Sequence, residues 1–476
     1  MIKKKLFRDL SATTLQVVFN QFFGLLIFYL LSRLLDKSDF GELNWSVAVT
    51  WVVTTILGFG TDVLIVKRIA DGNDVHRTAG LHISHTLLAA LLFILALLVS
   101  RLCWPVFFQQ HYLLIAISIS ALLTFFSSPF KQVANGKEAF RNLAVMTIMS
   151  NLVKIILLSL AAMLHLFTIH HVVGIYIIAS LAEWITGAWL IFKKLGKRLR
   201  PHWEKNAYSA LLKEALPQMG VILFDSALAR IDWIVLGLVK GPAATAEYSF
   251  AYKIYEVSRL PMLVLAPVIL PKFVRYFNDP AGLPKEKKDD LSLLLKVETA
   301  VAVVIPLFFN LTWTPLMGWV TAGKYGAVDA PIFMLLSFCV PITYFVNFLW
   351  TMAFAQHQLK QTFYITLIVS LLNLGLNLWL IPIMSKQGAA IAFVISSFVQ
   401  LLLYKFLVNQ RQLSVPLAPL FICIGLATAC FYISWSVCEN FAGRVLLSMG
   451  SYILLLFITR ILRITDLRKI GVMLAR

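Results

Sequence analysis

Apolar residues run along this chain in blocks of about 20, the length an α-helix needs to cross a bilayer. Short polar connections separate them. Read this way, the pattern predicts fourteen spans, near 12–33, 44–66, 82–102, 112–132, 143–164, 171–192, 216–239, 246–270, 291–313, 329–351, 361–382, 388–408, 417–436 and 444–462. The expected fold is therefore all-α and integral to the membrane. An even number of spans places both ends of the chain on one side.

The seventh and eighth segments depart most from the pattern. They lie between Pro217 and Pro271 and carry Asp225, Arg230, Asp232, Lys240, Glu247, Lys253, Glu256 and Arg259. A charge at bilayer depth costs several kcal/mol and is normally kept only when it pairs or faces a wet cavity. At helical spacing Tyr248, Tyr252, Tyr255 and Arg259 share one stripe, with Ser249, Lys253 and Glu256 beside it and Phe250, Ile254 and Val257 opposite. Counting back from the Gly241-Pro242 turn sets Arg230 and Asp232 level with Lys253 and Glu256, and Asp225 near Arg259.

Further polar stripes appear in the first half. Thr13, Gln16, Asn20 and Gly24 share a face, as do Asn44, Ala48, Trp51, Thr55, Gly58 and Asp62, and Tyr176, Ser180, Glu183 and Gly187. Uncharged stripes of this kind serve helix packing. The ionisable positions leave two readings open. In one, they are buried ion pairs that fix helix register. In the other, Arg259, Lys253, Arg230 and Lys154 form a cationic lumen for an anionic substrate, while Asp225, Asp232, Glu256 and Glu183 titrate with a coupling ion. Tyr248, Tyr252 and Tyr255 suit the C–H faces of sugar rings, and equally suit a core.

Composition supports a membrane protein. Hydrophobic residues make up 59% of the 476 and charged residues only 14%, with a mean hydropathy of +0.82; no soluble domain of that size has such a balance. The net charge of +19 would suggest a nucleic-acid partner in a soluble protein. Here the basic residues cluster in short connections, so no nucleic-acid partner is expected. Roughly 30 Lys and Arg fall on the side of the termini and roughly 7 on the other, which makes both termini cytoplasmic. The run after Lys3-Lys4-Lys5 is too long for a cleaved leader and has no cleavage site, so it reads as an uncleaved first span. Cys103, Cys339, Cys423, Cys430 and Cys438 sit in or beside apolar segments without C-x-x-C pairing, as core thiols do.

The hydrophilic stretches 193–215 and 272–290 are cytoplasmic on this count, and the longest connection opposite them runs from Thr314 to Val328. The chain thus divides into a lobe over 1–192, a linker over 193–215, a lobe over 216–408, and two further helices with a tail over 409–476. Faint similarity relates the halves. Asn135 to Arg141 precedes a helix with Ser150, Asn151 and Lys154, and Ala355 to Gln361 precedes one with Ser370, Asn373 and Asn377, an offset of about 220 residues that suits parallel repeats. No Walker A loop, G-x-G-x-x-G, H-E-x-x-H or G-x-S-x-G motif occurs. His82 and His85 share a helix face but make a poor metal site without a further ligand. An enzyme, a cofactor or a metal centre is not expected.

Several stretches resemble the polysaccharide-repeat-unit (O-antigen type) flippases of bacteria, in the multidrug/oligosaccharidyl-lipid/polysaccharide exporter superfamily. They are Leu35-Asp-Lys-Ser-Asp-Phe40-Gly-Glu, Ile56-Leu-Gly-Phe-Gly60 with Lys67-Arg-Ile-Ala, and Gln132-Val-Ala-Asn-Gly-Lys-Glu138. Arg230-Ile-Asp232, Glu247-Tyr-Ser-Phe-Ala-Tyr-Lys253, Ile269-Leu-Pro-Lys-Phe, Ala322-Gly-Lys-Tyr325 and Asn377-Leu-Trp-Leu-Ile-Pro382 with Gln387-Gly-Ala-Ala-Ile-Ala392 follow in order. The resemblance implies two pseudo-symmetric six-helix lobes around a central cavity, plus the two C-terminal helices. It also implies a transporter of the bacterial inner membrane that flips an undecaprenyl-pyrophosphate-linked oligosaccharide by alternating access. Its coupling ion would be a proton or sodium ion, and its working partner the polysaccharide polymerase machinery. Arg8 and Arg33 flank the first segment without the basic cluster of lipid II flippases, which argues against that branch. A multidrug extruder of the same superfamily should show Asp and Glu without matching Arg and Lys. An O-antigen polymerase or ligase should show a long periplasmic loop.

Overall fold

The computed structural model describes residues 19–277, 283–410, 413–463 and 465–466, and for 263–269, 271 and 272 the backbone alone. Among the described residues the chain is helical, with no strand. The helices of the first half are α1 (Phe19–Leu34), α2 (Lys37–Leu57), α3 (Thr61–Ala70), α4 (Val75–Cys103), α5 (Pro105–Gln110), α6 (Leu114–Gly136), α7 (Phe140–Met163), α8 (Ile169–Leu195) and α9 (Lys205–Lys240). Then follow α10 (Pro242–Ser258), α11 (Leu260–Phe277), α12 (Lys285–Val320), α13 (Ala330–Ala355), α14 (Leu359–Leu407), α15 (Ala418–Val437) and α16 (Phe441–Ile458).

Local chemistry sets many of these ends. The Asp36 and Asp74 carboxylates accept from the backbone N–H of Asp39 (2.8 Å) and Arg77 (2.6 Å), capping α2 and α4. Pro105 and Pro419 stand in first turns, where the missing N–H is not needed.

By length and apolarity nine of the described helices can cross a membrane, or ten if α2 and α3, bent by 50°, form one span. That measure treats α14 as a single span. Its 49 residues would extend about 74 Å, against a hydrocarbon core of about 30 Å. The expected spans 361–382 and 388–408 lie on either side of Ser385, whose φ of 53° and ψ of −134° break the helix. The charged segments 216–239 and 246–270 fall within α9 and α10–α11 and are not among the nine: Asp225, Arg230 and Asp232 dilute the apolarity of α9, and a break after Ser258 divides the second segment, leaving α10 only 17 residues long. The part of the first expected span before Phe19 lies outside the described residues, as does Arg8.

Two boundaries differ from expectation. Part of the stretch 193–215 is already helix, since α9 starts at Lys205 and buries Leu211 and Ala215 on one side. The connection expected from Thr314 is shorter, because α12 continues through Pro315 to Val320. Membrane helices tolerate an interior proline when neighbours satisfy the freed backbone group.

The chain forms two compact units, 1–246 and 247–476. In the first, Ile65, Ile69, Val133, Ala134, Met146 and Leu211 build a core where α3, α6, α7 and α9 meet. Helix α9 lies against α2, with the Trp45 indole N–H donating to the Ile234 carbonyl at 3.1 Å. In the second unit α15 and α16 pack on α12 through Cys423, Ala427 and Tyr452 against Val303 and Leu307. Trp313 stacks on Phe333 at 4.1 Å between centroids, and Phe250 on Tyr325 at 4.4 Å. Cys339, Cys423 and Cys430 are buried free thiols.

The turns flagged for internal similarity share one hydrogen-bond pattern. Glu138 and Ala139 donate to Asn135 and Ala134, and His357 and Gln358 donate to Phe354 and Ala353. Glu138 and His357 both take positive φ, 52° and 58°.

Candidate functional site

In the second unit, the break between α10 and α11 follows from Pro261. Its ring occupies the place of a helical N–H and crowds the carbonyl four residues back, at Val257. Helical hydrogen bonding ends at Ser258, whose carbonyl accepts from the Tyr344 hydroxyl at 2.9 Å. Arg259 sits at this break, its N–H bonded to the Glu256 carbonyl at 3.1 Å. Its guanidinium lies 5.7 Å from the Tyr255 ring centroid, in the geometry of a cation over an aromatic face. The Nε atom is buried without a hydrogen-bond partner, and no carboxylate among the described residues lies within ion-pair distance of the side chain. Its helix neighbours are paired differently. Lys253 Nζ donates to Glu256 at 2.9 Å, one turn along the same helix, and Lys386 of α14 pairs with Glu247.

Tyr248, Tyr252 and Tyr255 are buried. Tyr252 and Tyr255 each meet Phe393 of α14 edge-on, at 5.5 and 5.3 Å, and the Tyr255 hydroxyl shares a 2.9 Å hydrogen bond with Thr343 of α13. The stripe read from the sequence is thus a packed aromatic seam with Arg259 at its end. Phe250, on the opposite face, is buried too, so α10 is enclosed on both sides.

In the first unit, Glu183 of α8 is buried and accepts from Ser127 of α6 at 3.0 Å. It also pairs with Lys131, one turn further along α6. Lys154 of α7 places Nζ 4.5 Å from the Tyr176 ring centroid, within electrostatic reach of Glu183 and Lys131. Ser180 continues the seam through Ser120 (2.8 Å) and Thr124 (3.0 Å). The structure therefore gathers Lys154 and Glu183 and adds Lys131, a cation at the end of the expected span 112–132 that was not among the expected site residues. Its signal was the spacing of Ser127, Ser128, Lys131 and Gln132, which puts four polar groups on adjoining stripes of one helix.

The α9 residues are more dispersed. Arg230 lies over Trp233 (4.6 Å) and Trp51 of α2 (5.8 Å), and Asp232 is buried and accepts from the Trp233 N–H at 2.8 Å. Asp225 is exposed, with no ion pair among the described residues. Asp62 and His82 were not among the expected site residues, yet Asp62 Oδ1 accepts from Ser128 at 2.7 Å and lies 3.1 Å from His82 Nε2.

A cleft of about 250 Å³ lies where the stretch before α9 crosses α4, lined by Arg68, Asn73, Arg77 and His202 among others. Both arginines are already answered, Arg68 by Glu214 at 2.6 Å and Arg77 by Glu204. The Arg77 guanidinium holds the Glu204 carboxyl below the usual carboxylate range. This cleft has basic residues but no uncommitted arginine.

Removing one partner of a buried pair strands the other. Lys131→Ala is expected to lower stability by about 1–3 kcal/mol, the cost of leaving a buried group unsatisfied. Changing Glu183 to Gln in the same chain should recover part of that loss. Thermal unfolding of the purified protein in detergent measures both; equal midpoints for the wild type and Lys131→Ala would show the pair to be energetically silent.

Residues 6–277 match the family model described as polysaccharide biosynthesis protein. Stage V sporulation protein B of Bacillus subtilis (strain 168) is 21% identical over 93% of this chain and 93% of its own. The fold is similar to that of the lipid II flippase MurJ in an inward closed conformation, with a TM-score of 0.71 at 16% identity over 92% of this chain and 96% of that one. It is also similar to an inward-facing multidrug resistance MATE family transporter of the MOP superfamily, with a TM-score of 0.62 at 13% identity over 81% and 92%.

Proposed function

The chain belongs to the polysaccharide biosynthesis protein family, and from that premise we propose that it flips a lipid-linked oligosaccharide across a bacterial inner membrane by alternating access. It is a transporter rather than an enzyme. The substrate in this reading is an undecaprenyl-pyrophosphate-linked repeat unit of O-antigen type, delivered to polymerase machinery for lipopolysaccharide. In this reading 1–192 and 216–408 are the two lobes and both termini are cytoplasmic.

The observation that carries the proposal is Arg259. An arginine kept at a proline break, with no ion pair among the described residues, is costly unless an anion visits it. A diphosphate presents paired oxygens that the guanidinium fork matches in two parallel bonds. The lipid tail stays in the bilayer while the polar head group crosses. The relatives named above, a lipid II flippase among them, support a lipid-linked substrate. The aromatic seam beside Arg259 supports sugar contacts if it opens during the cycle.

The test is deletion of the gene followed by location of the lipid-linked repeat units. Accumulation confined to the cytoplasmic leaflet is expected. A surface glycan shortened to single repeats would point to polymerisation instead and overturn the proposal.

A further inference from the structure

The coupling ion can be approached through the bend between α2 and α3. Gly58, Phe59 (φ 53°) and Gly60 (φ 70°) break the helix. The Thr61 N–H then bonds to the Gly58 carbonyl at 3.0 Å, which leaves the Leu57 carbonyl without its helical donor. His85 of α4 fills that place, with Nε2 3.0 Å from the Leu57 oxygen, while its Nδ1 lies 3.1 Å from the Tyr208 hydroxyl of α9. Both ring nitrogens of His85 thus have partners.

His82, three residues earlier on α4, is different. Its side chain is 1% exposed and its Nε2 lies 3.1 Å from Asp62 Oδ1 in the first turn of α3. That contact is off the line of a regular hydrogen bond, and neither ring nitrogen has another partner among the described residues. Asp62, by contrast, is 45% exposed in its side chain. A half-exposed carboxylate thus adjoins a sealed imidazole. The groups facing them are His85 from α4, Ser128 and Lys131 from α6, Glu183 of α8 through Lys131, and Tyr208 of α9. Arg68, further along α3, is held by Glu214.

We propose that Asp62 and His82 form a proton-binding pair at the α2–α3 bend, which makes the proton the coupling ion of transport. With a neutral imidazole the pair carries one negative charge. One added proton, received at Asp62 and held on His82, makes an imidazolium beside a carboxylate with no net charge, the form better suited to a membrane interior. The proton passes across the 3.1 Å contact to Nε2 of the Nδ1–H tautomer, so protonation adds a donor aimed at Asp62 and turns the contact into an ion pair that pulls on the bend. An orphaned imidazole, costly in a purely structural role, gains a reason in this way. The positive-inside tally sets the pair near the cytoplasmic end of the helices, since Lys67 and Arg68 follow Asp62 within two turns.

The inference rests on the transporter reading, and its test separates the two. Full-length protein with ¹⁵N-labelled histidine, in lipid nanodiscs, is titrated between about pH 5 and 8. One buried imidazole is expected to titrate. Its signal should be absent in His82→Gln, and its midpoint should move by at least about one pH unit in Asp62→Asn. Asp62→Glu, which keeps the carboxylate, serves if Asp62→Asn fails to assemble, and should retain the titration. An imidazole of His82 that stays neutral throughout, or a midpoint unmoved in Asp62→Asn, overturns the proposal. Proteoliposomes then take undecaprenyl-pyrophosphate-linked N-acetylglucosamine as probe, with a pH-sensitive dye inside. A pH gradient should speed flipping in the wild type and lose at least tenfold of that stimulation in both variants. Stimulation by a sodium gradient alone, or equal stimulation in all three proteins, also overturns it. If the wild type flips no probe under any gradient, the transporter reading fails, while the titration still decides the proton site.

Discussion

Replacing Arg259 by alanine is expected to abolish export of the lipid-linked glycan while leaving the protein folded and inserted. A guanidinium that grips a diphosphate makes two charge-assisted hydrogen bonds, each worth about 1.5–3 kcal/mol. Losing both weakens binding by roughly two to four powers of ten. The folded state should lose little, because Arg259 has no ion pair among the described residues and its Nε is already unpartnered. What it gives up is its contact with Tyr255, 5.7 Å from the ring centroid, worth about 0.5–2 kcal/mol. Arg259→Lys should fall between the two, keeping the charge but not the planar fork. Surface glycan in cells, with membrane insertion and thermal unfolding of the purified variants, gives the answer. Normal export by Arg259→Ala would remove the support for an anion at this break. A large drop in unfolding temperature in both variants would make Arg259 a structural residue.

Helical periodicity located the faces that matter without naming what stands opposite them. The stripe of Tyr248, Tyr252, Tyr255 and Arg259 is real, but only tertiary packing shows three buried rings, two of them against α13 and α14, and a cation with no ion pair among the described residues. Spacing along one helix cannot tell a cavity wall from a seam, because both need the same i, i+4, i+7 pattern. Lys253 and Glu256, set level with Arg230 and Asp232 by the sequence pattern, pair with each other along their own helix, since three residues bring their side chains together. Lys131 was not legible as a site residue. It lies at the edge of an apolar run, where a positive side chain usually reports topology, and its partner Glu183 is on another helix.

Asp62 illustrates a second limit. On an unbroken helix it continues the stripe of Asn44, Ala48, Trp51, Thr55 and Gly58. The bend at Phe59 and Gly60 redirects the following residues, so Asp62 meets His82 and Ser128. The sequence signal was present in Gly58-Phe59-Gly60, since glycine tolerates the left-handed conformation the turn demands. His82 and His85 share one helix face in the sequence, with no further metal ligand beside them. Their neighbours turn out to be a carboxylate and a freed carbonyl, which call for proton chemistry or capping rather than coordination.

The largest structural effect is expected at Gly237, where α9 crosses α2. A Cβ at this position would lie 2.0 Å from Trp45 Cδ1 and 2.5 Å from its Nε1, so no rotamer of a larger residue fits. Trp45 cannot easily give way. Its indole N–H is bonded to Ile234, and its ring stacks on His111 at 3.7 Å, which in turn lies 3.0 Å from buried Glu42. The same crossing is tight at its other end, where a Cβ on Gly41 would lie 1.8 Å from the Pro242 carbonyl oxygen. Small residues at a membrane-helix crossing let backbones approach, and packing at that approach supplies the association. Gly237→Ala should therefore cost at least about 3 kcal/mol, the upper end of the overpacking range. Trimming the opposing ring should offset part of this, so Gly237→Ala with Trp45→Leu should lose less stability than the two single changes predict together, a coupling a double-mutant cycle measures. Unfolding midpoints of the four proteins in one detergent give the cycle. Additive losses would mean that the two residues do not meet, and the placement of α9 against α2 would have to be redrawn.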